Sequence, residues 1–468
     1  MTPKKFGYIV IGGGSSGLTA ARFARQLGTK VLLIEKNRIG GDCTWTGCVP
    51  SKTLIKAASV AHEMRTANRF GLSSANPQVD LKKVMKHVQK VIHEVYEEET
   101  PESLQEQGIE VILGSPTFVD AKTLAVDDDE AIGDKFLIST GARPLIPAIV
   151  GLSEVDFTTH ETIFSLLKLP KHLIVIGGGP IGCELSQAFS RLGSNVSILT
   201  NVSRLMPRDE PEAAELLQKV FEKEGINLHF NSEISRVWQD KNGIHVQNRD
   251  SEIIGDHLLV AAGRRANIEE LQLEKAKVDF DEYGIFVDKK LRTSQKHIYA
   301  AGDCVSKNLQ FTHLAGWQGW IATRNALLPG SSDGLTKAVP WTTFTSPEIA
   351  HIGALEHEAL EQDSKVRIFT YPFDLIDRAR TDRELDGFLK LILKSDGTII
   401  GTTIVSARAG ESIQEWVMAV KQGLNIEEIA GFIHVYPTYT SAAMDMAANI
   451  SVESFLTSTK GKIARFFA

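Results

Sequence analysis

Apolar and polar positions along this chain repeat one long pattern twice. Residues 6–11, FGYIVI, form a short apolar run that reads as a buried strand. Gly12-Gly13-Gly14-Ser15-Ser16-Gly17 follows, then LTAARFARQLG with helical spacing, then a second strand, KVLLIE, ending at Glu35. The pattern returns at LIVI, residues 173–176. Gly177-Gly178-Gly179-Pro180-Ile181-Gly182 comes next, then the helix CELSQAFSRLG and the strand NVSILT, ending at Thr200. In both copies the strand-closing residue lies 23 positions after the first glycine.

One glycine-rich turn says little. Here each GxGxxG has a strand before it, a helix after it and a second strand at the right distance, as a dinucleotide fingerprint requires. The glycines allow a tight turn and a close backbone approach, and the helix N-terminus faces a pyrophosphate. The copies differ at their last residue. Glu35 can accept from both hydroxyls of an adenosine ribose. Thr200 offers no carboxylate to repel a 2′-phosphate, so the second copy leans towards NADPH over NADH, with Arg204 and Arg208 as candidate phosphate partners.

The rest of the pattern is modular. FLISTGARPLIPAIVG (136–151) reads as a strand entering a crossover, and LLVAAGRRANIEEL (258–271) reads as its counterpart. HIYAAGDCV (297–305) is an apolar strand ending on Gly302-Asp303, where an aspartate can meet a ligand. From Val339 the texture becomes α+β, with strands FLKLILK and TIIGTTIV. Val84, Val88, Val91 and Val95 form a stripe read as core packing on a helix near 81–98. The expected fold is α/β, with two Rossmann-like modules and a C-terminal α+β unit. Expected boundaries are 1–150, 151–270, 271–338 and 339–468, the first and third ranges together making one module.

Composition narrows the function. The 468 residues are too many for one core. A net charge of -7 argues against nucleic acid or anionic membrane as a partner. No apolar run is long enough to cross a bilayer, and MTPKKFGYIVIGGG leaves no room for a signal peptide, so a cytoplasmic protein is expected. Four cysteines do not make a secreted scaffold. Cys43 and Cys48 bracket Thr44-Trp45-Thr46-Gly47, and Pro50 suits the first turn of a helix through Leu54, Ile55, Ala58 and Ala61. Cys48 then sits at a helix N-terminus, which favours thiolate. Zinc would want a second ligand pair, and Cys183 and Cys304 are isolated residues read as buried and apolar, so no metal site is expected. A redox-active pair is the favoured reading.

Two dinucleotide modules, CxxxxC, TGARP at 140–144, AAGDC at 300–304 and PWTTFTSPEIAHIG at 340–353 together resemble the flavin-dependent pyridine nucleotide–disulfide oxidoreductases, over nearly the whole chain. That family includes glutathione reductase, dihydrolipoamide dehydrogenase and mercuric reductase. The resemblance implies a homodimer whose acceptor site is shared between chains, with FAD in the first module and NAD(P)H in the second. Gly12, Gly14, Ser15, Gly17, Glu35, Gly41, Lys52, Thr140, Gly141, Gly302 and Asp303 would serve FAD. Gly177, Gly179, Gly182 and Gly263 would serve the second module. Cys48 would be the thiolate at the flavin, Cys43 the outer cysteine, and Lys52 and Glu184 a charged pair near flavin and nicotinamide. Electrons would pass from NAD(P)H through FAD to Cys43–Cys48 and on to an acceptor.

One departure bears on that acceptor. Disulfide-reducing members carry His-Pro-Thr near the C-terminus, with a glutamate four residues after the proline. Here HVYPTYTSAAMD places Tyr436 before Pro437 and Ser441 at the glutamate position. The His–Glu pair is absent in register. Tyr-Pro-Thr resembles the mercuric reductase branch, although the C-terminal vicinal cysteines of that branch are missing. A soft metal ion such as Hg(II), or a small electrophile, is the expected acceptor, with Tyr436 as a candidate catalytic group and His434 as a displaced substitute. A disulfide reductase with a rebuilt proton donor is the alternative. A flavin-binding redox sensor without turnover is another. The tail residues Lys460, Lys462 and Arg465, among Ile463, Phe466 and Phe467, are read as an interface or surface helix end.

Overall fold

The computed structural model describes residues 4–459 except 128 and 250, together with 462, 463 and 465. Lys460, Phe466 and Phe467 of the tail lie outside the described residues.

The first apolar run becomes β1 (Lys4–Ile11), whose Tyr8, Ile9, Val10 and Ile11 are fully buried. A strand buried on both faces belongs inside a parallel sheet covered on two sides. It lies between β2 (Val31–Glu35) and β6 (Asp129–Ile138), parallel to both. The helix α1 (Ser15–Gln26) covers one face. The seven-stranded sheet runs β3 (Glu110–Leu113), β2, β1, β6, β5 (Thr123–Val126), β4 (Pro116–Phe118), the last two antiparallel. The C-terminal half of β6 takes a late seventh strand, Ile298–Ala300, in parallel register.

The second copy builds a separate parallel sheet, in the order Asn227–His229, Asn195–Leu199, His172–Ile176, His257–Val260. A three-stranded antiparallel meander, Arg236–Asp240 to Glu252–Gly255, attaches to it. The crossovers on either side pair as a small ribbon, Ala142–Pro144 against Arg264–Ala266. The C-terminal unit is a five-stranded antiparallel sheet with the helix Ser441–Thr457 behind it.

Two helices carry the first module into the second. The helix α2 (Gly41–Trp45) is followed by α3 (Cys48–Arg65) and α4 (Leu81–Tyr96). Leu54 and Ala58 of α3 and Met85, Val88 and Ile92 of α4 share one core with Leu173, Phe189 and Leu217 of the second module. Each of the larger side chains contributes about 2 kcal/mol by leaving water, so the two modules are held by common packing. The stripe on α4 is phased differently from the valine reading. Leu81, Met85, Val88 and Ile92 are buried, while Val95 is 39% exposed. The row that faces α3 and the second module is set by tertiary contact, and the valines mostly flank it.

Candidate functional site

Gly12 and Gly177 do the same job in the two copies. Each has positive φ, 102° and 123°, and a Cβ there would stand 2.3 Å from Ser139 O or 2.2 Å from Ala261 O. The strand therefore turns hard against its neighbour, and the next helix begins at once. Gly17 and Gly182 do not line the cleft. A Cβ on them would meet Gly12 O at 1.8 Å and Gly177 O at 2.0 Å, so they let helix and turn touch.

Gly14 and Gly179 behave differently. A Cβ at Gly179 meets nothing within 4 Å, and at Gly14 only Gly41 Cα at 3.9 Å. The protein itself has no need of glycine there, whereas a dinucleotide pressed against the backbone does. Ser16 Oγ, in the first turn of α1, is buried without a hydrogen-bond partner. Glu35 Oε2 accepts from Gly13 N at 2.7 Å and Oε1 from Asn37 N at 2.7 Å, fixing the carboxylate at the strand end. The first module thus fits FAD.

Both turns open into one cavity of 2510 Å³. That is several times a usual small-molecule pocket and suits two dinucleotides. Gly12, Gly14, Ser15, Glu35, Gly41, Thr140, Gly141, Gly177, Gly179, Gly263, Gly302 and Asp303 all line it. So do Cys43, Cys48, Lys52 and Glu184, between the two turns.

Gly47 caps α3, so Cys48 is its first residue and Lys52 lies one turn on. Both cysteines are thiols and half-buried. The Cys48 sulfur lies 3.2 Å from Thr312 Oγ1, the first residue of the helix Thr312–Leu327. The hydrogen bond from Cys43 pulls the Cys48 thiol down most, Thr312 and Lys52 add to it, and burial opposes them. The same pairing drives Cys43 up. Charge therefore sits on Cys48. Lys52 Nζ donates to Glu184 Oε2 at 2.8 Å and stands 4.4 Å from the Phe344 ring centre.

A charge network that sequence reading missed lies beside the pair. Arg264 ion-pairs with Asp42, the residue before Cys43, and reaches Asp303 Oδ2 at 3.4 Å. It also donates to His160 Nε2 at 2.9 Å. Burial pushes the Asp42 carboxyl up, but His160 and Arg264 outweigh it and hold it at about 2. Burial pushes Asp303 up despite Arg264. Asp42, His160 and Glu161 sit close enough to share a cation, but Arg264 already neutralises Asp42. Nothing local in the sequence announces this network, because its members come from four separate segments.

Tyr436 is not brought to the cysteines within one chain. Neither it nor His434 lines the cavity. Its hydroxyl donates to Asp377 Oδ2 at 2.7 Å, and that bond and charge raise the phenol further. The Tyr436–Pro437 peptide is cis. His434 is paired out of register, its Nε2 lying 2.9 Å from Oε2 of Glu415 on the helix Gln414–Gln422. The reading from sequence found no partner for it, since Glu415 lies 19 residues away. Cys183 and Cys304 are fully buried, as small apolar residues would be.

Comparison with known proteins agrees with this geometry. Residues 6–319 match the family model "pyridine nucleotide-disulphide oxidoreductase", and residues 339–447 match its dimerisation domain. A mercuric reductase of Bacillus cereus is 35% identical over 92% of this chain and 69% of that one. One from Streptomyces lividans is 34% identical over 92% and 94%. A dihydrolipoyl dehydrogenase of Thermus scotoductus is 32% identical over 95% and 97%. Among solved structures, the HOCl-induced flavoprotein disulfide reductase RclA of Escherichia coli superposes with a TM-score of 0.86 at 26% identity, covering 94% of this chain and 99% of that one. No helix among the described residues is long and apolar enough to cross a membrane. The chain belongs to the pyridine nucleotide–disulfide oxidoreductase family, and is an FAD-binding, NAD(P)H-dependent flavoprotein disulfide oxidoreductase with the family's dimerisation domain.

Proposed function

We propose that the pair Cys43–Cys48 delivers electrons to a thiol-reactive acceptor, a soft metal ion such as Hg(II) or a small electrophile. FAD, when bound, supplies the two-electron carrier between NAD(P)H and the cysteines. The chain's own residues do the rest. Gly12, Gly14 and Ser15 would hold its pyrophosphate, Glu35 its ribose, and Asp303 the ribityl and pyrophosphate region. Lys52, held by Glu184, keeps a positive charge beside Cys48. Thr312 holds the Cys48 sulfur as thiolate, which leaves the protonated Cys43 as the outer group to meet the acceptor.

The observation that carries this reading is the state of the group before Pro437. A disulfide acceptor gives a leaving thiolate that needs a proton from a group titrating near neutrality. Tyr436 offers a phenol raised by Asp377 and cannot cycle there. An acceptor bound directly by two sulfurs needs no such donor. The relatives named mercuric reductases support the same class. On the donor side, Arg204 is spent on Pro207 O and Asp209 O, at 3.1 and 3.2 Å. Arg208 stays exposed on the cleft wall with Thr200, which favours NADPH.

The His434–Glu415 pair favours a second reading, a disulfide reductase whose proton donor has moved two residues along the loop. Steady-state turnover with Hg(II), lipoamide, glutathione disulfide and simple oxidants separates the two. The first reading expects Hg(II) or an electrophile to lead. Lipoamide turnover at ~10²–10³ s⁻¹, the upper part of the usual enzyme range, that also collapses in His434→Ala would establish the second instead.

A further inference from the structure

The C-terminal unit meets the second module along a seam that reaches the cleft at Glu184, Trp341 and Phe344. Its first strand, Trp341–Thr343, and the residues that follow run over the helix Pro180–Leu192 and the loop 200–210. Trp341 Nε1 donates to Asp209 Oδ1 at 2.8 Å. Phe344 N donates to Glu184 Oε1 at 2.8 Å. Ser346 N donates to Gln187 Oε1 at 2.7 Å, and Gln187 Nε2 donates back to Ser346 O at 2.8 Å. Beside these, Glu210 accepts from Glu356 N at 2.7 Å and from Lys390 Nζ at 3.0 Å. On the module side Glu184, Gln187, Asp209 and Glu210 are between 1% and 7% exposed.

Buried polar groups matched this fully are costly to part, so strap and module hold one arrangement. That arrangement reaches the donor site. The loop 200–210 begins at Thr200, carries Arg208 on the cleft wall, and ends pinned at Asp209 and Glu210. Arg204 folds back onto the pinned end. Glu184 is fixed from both sides, one oxygen on the strap and one on Lys52.

We infer that Trp341 and Gln187 are positioning residues for NAD(P)H: the dimerisation domain, through the strap 341–346, holds the donor-binding loop and Glu184 in place, and its docking sets donor affinity. The inference rests on NAD(P)H use and not on the identity of the acceptor. Gln187 does not line the cleft; its amide meets Ser346 of the strap and, at 3.3 Å, Glu224 Oε1, so a change there reaches the donor only indirectly.

The test uses holoenzyme carrying Gln187→Leu or Trp341→Phe. Calorimetry measures the Kd of NADP⁺ and NAD⁺. Rapid mixing with NADPH separates apparent affinity from limiting reduction rate, and reoxidation of dithionite-reduced enzyme reads the other half-reaction. Loss of the Trp341–Asp209 hydrogen bond, or of the two between Gln187 and Ser346, weakens dinucleotide binding about tenfold. The limiting rate and the reoxidation stay within about twofold, a split that a general loss of structure would not give. Unchanged Kd in folded variants, or equal losses in both half-reactions, overturns the inference. If Trp341→Phe fails to fold, Gln187→Leu decides alone.

Discussion

The charge on Cys48 should depend measurably on one hydroxyl. In a Cys43→Ser background the neighbouring hydroxyl replaces the thiol beside Cys48, and Cys183 and Cys304 are fully buried, so alkylation by iodoacetamide reports Cys48 alone. Replacing Thr312 by Val removes the donor 3.2 Å from the sulfur while keeping the shape of the side chain. A hydrogen bond to a charged group is worth about 1.5–3 kcal/mol. A half-buried sulfur acceptor takes the low end, ~1.5 kcal/mol, or about one pKa unit. Thiolate is the charged form, so losing its donor raises the pKa. Below both values the reactive fraction, and with it the alkylation rate, falls about tenfold, and the difference vanishes above both. Rates measured across pH should show the parent inflecting below the ordinary cysteine value of about 8.5, the Val variant one unit higher, and Thr312→Ser close to the parent. An inflection that stays put or moves down in Thr312→Val refutes the assignment of the charge to Cys48 through Thr312.

Three further outcomes are expected. Gly179→Ala should fold with near-parental melting but lose dinucleotide binding by calorimetry, because its Cβ meets no protein atom, whereas Gly182→Ala, 2.0 Å from Gly177 O, should fail to fold. Lys390→Met strips a buried Glu210 of its cation and should cost about 3 kcal/mol in urea unfolding, with Lys390→Met/Glu210→Met regaining most of it. Arg208→Ala should raise the KM for NADPH by about tenfold, the worth of one exposed-to-half-buried phosphate contact, and leave the KM for NADH unchanged.

What could be read from the sequence was local. Gly12 and Gly177 announce their turns because the backbone demand lies within a few residues. Cys48 announces its helix N-terminus through Pro50 and the apolar spacing that follows, whereas Lys52 stands out only through the family resemblance. Lys390 could not be read that way. It sits in FLKLIL, where alternation would turn it outward, yet the whole strand Phe388–Leu393 is buried and the lysine is met by Glu210, Glu212 and Glu356. Arg264 with Asp42 and Asp303, and His434 with Glu415, were hidden for the same reason. Each joins segments that only the finished fold brings together. The valines of α4 misled because β-branched residues look like core, while the packing partner chooses which row is buried.

The seventh strand of the first sheet, Ile298–Ala300, sets a clock on biosynthesis. It pairs with Phe136–Ile138, some 160 residues earlier. A ribosome adding about 5–20 residues per second needs roughly 8–32 s to make the intervening chain. During that interval the second module is finished first, although it is encoded later than the start of its host. One edge of Phe136–Ile138 meanwhile stands open, which invites pairing with other chains. Asp303 arrives only behind the strand that closes that edge, so the flavin end of the cleft is complete only after the most vulnerable stage of synthesis has passed.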